Sequence, residues 1–179
     1  MQLHLVRHPA PDVSSGYCYG RTDLQPDAAD TARVLAHLRH AGLDTLPVIS
    51  SPLARCAALA RALAPAPAFD ARLAEMDFGA WELRSWDEIP RVEVDAWNAD
   101  LLDYHPGGGE SVMEVATRVA AFHADILRAA PDAALVICHA GTIRLLAALH
   151  EGGPVRAAAH RAAATPHRIA YGEVMLLNR

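Results

Sequence analysis

The sequence predicts a three-layer α/β/α sandwich with a mostly parallel central sheet, formed as one domain over residues 1–179. Three observations lead there. Short apolar, strand-like runs alternate with helix-length segments, the pattern of a parallel-rich sheet covered on both faces. Several of those runs stop abruptly at Pro, Gly or polar residues, as strands do when they enter loops at a sheet edge. A length of 179 residues suits one domain with one substantial core.

Taken in order, Leu3 to Val6 reads as a strand that stops at Arg7-His8-Pro9. Pro9 and Pro11 forbid a regular continuation, and the segment to Pro26 reads as a loop rich in Gly, Ser, Pro and Tyr. Asp27 to Leu43 carries Ala32, Leu35, Ala36 and Leu38 near helical spacing, with Gly42 as a C-terminal stop. Val48-Ile49 is a short buried strand, and Ser50-Ser51-Pro52 resembles a helix start for a helix over Leu53 to Leu63. Pro65 and Pro67 close that helix, and Ala68 to Leu73 reads as a short strand. Glu75 to Trp86 is irregular and aromatic, followed by a helix over Arg91 to Leu101. Pro106-Gly107-Gly108-Gly109 is a turn before a long helix from about Glu110 to Ala130. Leu135 to Cys138 is the clearest buried strand, with a helix over Ile143 to Leu149 beyond it, and Glu173 to Leu177 is the final strand.

Composition bounds the function. The chain is 52% hydrophobic and 21% charged, ordinary for a soluble globular protein. A net charge of −5 argues against a nucleic-acid surface. All 16 basic side chains are Arg, which together with the heavy use of Ala reflects base composition, so the Arg total is no signal of phosphate binding. The N-terminus lacks the pattern of a signal peptide, and no apolar run approaches the roughly 20 residues that span a membrane. Cys18, Cys56 and Cys138 lack metal-site spacing and read as free thiols of a reducing cytoplasm. The ten His residues are scattered, so no metal site and no cofactor are expected. Oligomeric state stays open, because apolar helix faces serve cores and interfaces alike.

In such a fold ligands bind beyond the carboxyl ends of the strands. Leu5-Val6 runs into Arg7-His8, Val48-Ile49 into a segment holding Arg55, and Val136-Ile137-Cys138 into His139-Ala140-Gly141. Two Arg and two His therefore converge on one sheet edge. Guanidinium forks match phosphate oxygens, helix starts near Pro52 and Thr142 offer oriented amides, and a neutral His can attack phosphorus. Singly, each segment is more simply a polar strand end or a connection; together they resist that explanation. As a strand-end side chain, His8 is expected to be exposed.

LVRHPAP, SSPLARC, LAEMDFGAWE, PGGGES and VICHAGTIR, in this order, resemble the histidine phosphatase superfamily, the phosphoglycerate mutase-like proteins. Cys18 to Asp23 and Phe78 to Glu82 are similar to short bacterial members of the α-ribazole phosphatase type. The resemblance implies that His8 becomes a phosphohistidine, that Arg7, Arg55 and His139 surround the phosphoryl oxygens, and that Glu75 is the proton donor. That last role needs a protonated Glu75, favoured by burial and by phosphate's charge; Glu82 is its nearest competitor. Ala140 and Gly141 are small enough to admit phosphate to the backbone. Tyr19, Gly20 and Arg21, in the loop after His8, are candidate substrate contacts. Gly108 to Ser111 matches a family loop near the site and equally a plain helix start. Trp81, Trp86, Trp97 and Tyr104 line a substrate wall or pack a core. Departures fall at Pro9, where the family has Gly, at Ala10, and at Ser14-Ser15, where Asn is usual; all bear on the substrate side. The implied activity is hydrolysis of a small phosphorylated metabolite, with α-ribazole 5′-phosphate of cobalamin biosynthesis as a candidate. A phosphoglycerate mutase or a non-catalytic phosphate-binding protein on the same fold are the alternatives.

Overall fold

The computed structural model describes residues 1–13, 16–166 and 168–178, and the Ser14-Ser15 departure lies outside the described residues. Strands β1 (Gln2–Arg7), β2 (Val48–Ser50), β3 (Ala68–Phe69), β4 (Ala133–Cys138) and β5 (Val174–Asn178) form one sheet in the order β3-β2-β4-β1-β5. The β1–β4, β2–β4 and β2–β3 pairs are parallel, and β5 closes the edge antiparallel to β1.

Period-two alternation sorts the sheet residues between two layers. Leu3, Leu5, Ala134 and Val136 face a core built with α4 (Val112–Ala129), α5 (Ala140–His150) and α6 (Val155–Ala164). Val6, Leu135 and Ile137 face the opposite core, with α1 (Ala28–His40) and α2 (Ala54–Leu63). β1 and β4 are thus covered on both faces, which explains their unbroken apolar runs. A smaller cluster of Cys18, Trp81 and Ile89 packs beneath α3 (Arg91–Ala99), outside the sandwich.

Local signals act largely as read. The Asp27 carboxylate accepts from Asp30 N–H and caps α1, and Gly42, at φ 70°, turns the chain out of it. Ser111 and Glu114 form a reciprocal capping box on α4.

Four expectations change. Ser50-Ser51-Pro52 does not cap α2, which starts at Ala54 after an extended Leu53 without any side-chain cap bond; the Ser51 hydroxyl is taken by His139 at 2.9 Å. The strand expected over Ala68 to Leu73 is two residues long, because the Asp70 carboxylate accepts from Arg72 N–H and turns residues 71–73 into a 3₁₀ turn. The helix after β4 begins at Ala140, three residues before the expected start, with His139 at its cap. Helix α6 went unanticipated: its run of alanines gives little apolar contrast, although Ala158, Ala159 and Ala162 are buried. Among the described residues no helix is long and apolar enough to cross a membrane.

Candidate active site

At the carboxyl ends of β1, β2 and β4 lies a cavity of about 550 Å³. Its floor holds Arg7, His8, Arg55 and Glu75, contributed by β1, the segment after it, α2 and the 3₁₀ turn's exit. Its outer wall is Tyr17, Phe78, Trp86 and Trp97, and Ala140, Gly141 and Arg144 of α5 close one side.

His8 is 2% exposed, against the expectation of an exposed strand end. Side chains from other segments pack against the ring, among them Tyr171 at 5.6 Å between centroids. His8 Nδ1 lies 2.6 Å from the carbonyl oxygen of Pro9. An oxygen there can only accept, so Nδ1 carries the proton and the neutral ring presents Nε2 as a bare lone pair. Burial first, and then the guanidinium of Arg55, lowers the His8 pKa to about 3, with the Pro9 bond opposing and Arg7 adding to the fall. The ring is therefore neutral throughout the physiological range.

His139 is fully buried beside it, ring centroids 5.0 Å apart. Its Nε2 meets the Ser51 hydroxyl at 2.9 Å and the Cys56 sulfur at 3.5 Å. Burial, then His8 and Arg55, drive its pKa well below the usual histidine value.

The two guanidiniums differ in support. Arg55, fully buried, donates to the carbonyls of Thr22 (2.8 Å) and Gly20 (2.5 Å). Arg7 donates to Ile169 O at 2.5 Å and stacks over the Tyr171 ring at 3.9 Å. Both keep a buried Nε without a partner among the described residues. A buried unsatisfied donor costs about 1–3 kcal/mol, so both arginines are held in place at some cost to stability.

Glu75 lines the same cavity as His8 with both oxygens fixed, Oε2 by Gly141 N–H and Oε1 by Met76 N–H, each at 3.1 Å. A Cβ on Gly141 would lie 2.4 Å from Glu75 Oε1, so this glycine makes room for the carboxylate itself. The amide expected to face phosphate is thereby committed to Glu75.

The remaining sequence candidates separate. Tyr19 lines the cavity and its hydroxyl meets that of Tyr171 at 2.7 Å. Gly20 is a support, its carbonyl holding Arg55 and its Cα packed where a Cβ would stand 1.8 Å from Met76 O. Arg21 lies outside the cavity lining, 3.5 Å from Glu110. Glu82 accepts backbone amides from Arg21, Thr22 and Phe78, which ties the loop down and takes it out of competition with Glu75. Trp81 is fully buried, its Nε1 donating to Glu93, whereas Trp86 and Trp97 line the cavity. Glu110 and Ser111 brace and cap rather than line it. The roles of Ser51, Cys56, Tyr171, Arg118 and Arg144 went unanticipated: Ser51, Cys56 and Arg144 stand inside the quoted motifs, and Tyr171 and Arg118 lie outside them. Among the described residues no group of three or more His, Cys, Asp or Glu could hold a metal ion.

The cavity floor thus gathers a neutral imidazole, the buried guanidinium of Arg55, the part-buried one of Arg7 and the carboxyl group of Glu75, and residues 3–170 match the family model of the histidine phosphatase superfamily (branch 1). The chain belongs to that superfamily and is a phosphatase of its class. Its fold is similar to TTHB049 of Thermus thermophilus (26% identity, 99% of this chain and 94% of that one, TM-score 0.74). It is similar also to an Escherichia coli protein proposed as an α-ribazole-5′-P phosphatase (25%, 98% and 89%, TM-score 0.78). A mycobacterial glucosyl-3-phosphoglycerate phosphatase, Rv2419c, shares the fold at 23% identity (99% and 89%, TM-score 0.78). No curated sequence matches the chain.

Proposed function

We propose that the protein is a phosphomonoesterase that hydrolyses a small phosphorylated metabolite through a phosphohistidine on His8. The observation that carries this reading is the 2.6 Å contact of His8 Nδ1 with Pro9 O, which leaves Nε2 unprotonated beside Arg7 and Arg55. In the first step Nε2 forms a bond to phosphorus while the ester oxygen–phosphorus bond breaks, and Glu75 gives its proton to the departing alkoxide. In the second, Glu75 takes a proton from water, whose oxygen attacks phosphorus and releases phosphate from His8. Arg7 and Arg55 spread the charge on the phosphoryl oxygens, the electrostatic work that dominates such reactions, and His139, the third residue of the expected set, lies behind the cavity wall against the His8 ring.

Beyond the phosphoryl floor the cavity is lined by aromatic side chains, which suits a leaving group with a flat, apolar portion. Together with the resemblance to the E. coli protein, this supports α-ribazole 5′-phosphate, and with it a place in cobalamin assembly. The three buried free thiols accord with a reducing, cytoplasmic setting.

The test is phosphate release from 4-nitrophenyl phosphate, with chelator present, by wild type and His8→Ala. Release by wild type alone, with acid-labile and alkali-stable label on the protein, supports the reading. Equal release by both removes His8 as nucleophile, and transfer of label to an acceptor hydroxyl instead of water turns the reading to a mutase.

A further inference from the structure

Proton transfer to a leaving oxygen tolerates little misplacement, yet Glu75 lies in a run with neither sheet nor helix ladder, from the 3₁₀ turn at residues 71–73 to the one at 79–81. The backbone carbonyls of that run have to find partners elsewhere.

Three of them, those of Arg72, Ala74 and Glu75, find the same residue. Arg118, on α4, is only 17% exposed in its side chain and is absent from the cavity lining. Its Nη1 donates to Arg72 O and Ala74 O, each at 2.7 Å. Its Nη2 donates to Glu75 O at 3.2 Å and to Glu110 Oε2 at 2.9 Å, and Nε donates to Glu110 Oε1 at 2.9 Å. Glu110 in turn accepts Asp77 N–H at 3.0 Å through Oε2. The paired carboxylate and guanidinium thus hold the run at residues 72, 74, 75 and 77, on both sides of the carboxyl group. Burial alone would raise Glu110, but Arg118 and Asp77 N–H outweigh it and hold it below the ordinary carboxylate value, so the clamp is charged at neutral pH.

We propose that Arg118, braced by Glu110, is a positioning residue for the general-acid step: it sets the backbone of Glu75 so that the carboxyl meets the leaving oxygen. The inference rests on Glu75 being the proton donor. A Lys at this position keeps the charge but presents a point donor that cannot span these acceptors.

The leaving group separates this role from plain structural support. A 4-nitrophenolate departs with little need of a proton, whereas the alkoxide of benzyl phosphate, of similar size, needs one. The value of kcat/KM for both esters, measured for wild type, Arg118→Lys, Glu110→Gln and Glu75→Gln, is the test, with melting temperatures recorded alongside. A well-placed general acid is worth about 10²–10⁴-fold, and a displacement of about 1 Å costs on the order of 10²-fold. Arg118→Lys is expected to lose about tenfold or more beyond its 4-nitrophenyl loss on benzyl phosphate, in parallel with Glu75→Gln. Equal losses on both esters, or none, with Glu75→Gln still selective, overturn the role of Arg118 and leave Glu75 standing. A Glu75→Gln variant without selectivity removes the proton donor and this inference with it. If Arg118→Lys does not fold, Glu110→Gln decides: a selective loss supports the clamp, and a uniform one overturns it.

Discussion

His8 donates its Nδ1 proton to the carbonyl of the residue that follows it, Pro9, across 2.6 Å. The family's usual Gly would offer the same acceptor, so the substitution of Pro keeps the bond that selects the tautomer while removing an amide donor at that position. Pro also fixes φ near −65°, which narrows the positions open to that carbonyl.

Acid sensitivity follows from the buried imidazole. The His8 pKa is about 3 in the fold against 6.5 for an unburied ring, so between those values the unfolded chain binds the extra proton. Its contribution to stability is complete above pH 6.5 and is lost as pH falls toward 3, at up to about 1.4 kcal/mol per pH unit. His139 acts in the same direction. Urea midpoints at pH 7 and pH 5 should fall less for His8→Gln than for wild type; equal falls would place the acid sensitivity elsewhere.

Arg55, proposed above as a phosphate ligand, is also a strut. Arg55→Lys keeps the charge but leaves the carbonyl of Gly20 or Thr22 unpaired, at about 1–3 kcal/mol for each. Melting temperature and kcat/KM should drop together, and an unchanged melting temperature would show that the loop after His8 holds without it.

Gly141→Ala places a methyl group 2.4 Å from Glu75 Oε1. In a helix Ala is favoured over Gly by about 1 kcal/mol, so stability should hold. Turnover of poor leaving groups should fall, by an expected tenfold or so on benzyl phosphate. Wild-type rates on that ester would mean that the carboxylate is free to move aside.

Gly20→Ala is the harsher test. The new Cβ would meet backbone, Met76 O at 1.8 Å, which cannot rotate away as a side chain can. Overpacking costs about 1–3 kcal/mol and at times more, and the upper end is expected here in thermal unfolding. A variant of wild-type stability would contradict the close approach of these two loops.

The fold was legible wherever one residue pattern decided an element. β1 and β4 are apolar because both faces are covered, and Asp27, Gly42 and Ser111 punctuate helices by local chemistry. The segments carrying Arg7, His8, Arg55, Glu75 and His139 could be singled out because each follows a strand or matches a family motif. What sequence could not show were contacts between distant segments. Ser51 looked like a helix cap, but its hydroxyl meets His139, at the cap of α5. Arg118 carries no signal of its own in the sequence, and only the packing of α4 under the 72–77 run gives it its partners. Arg21 and Gly20 stand beside Tyr19 in the chain, yet only Tyr19 faces the cavity, a matter of how the loop is folded over Arg55.

β4 is threaded between β1 and β2, so the two N-terminal strands never touch and each waits for a partner made much later. During synthesis the ribosome must deliver residue 138 before the sheet's centre can close. Until then Arg7 and His8 hang from an unpaired strand, and His139 has not been made. The chemistry therefore switches on in one late event, and no N-terminal fragment ending before β4 can carry partial activity.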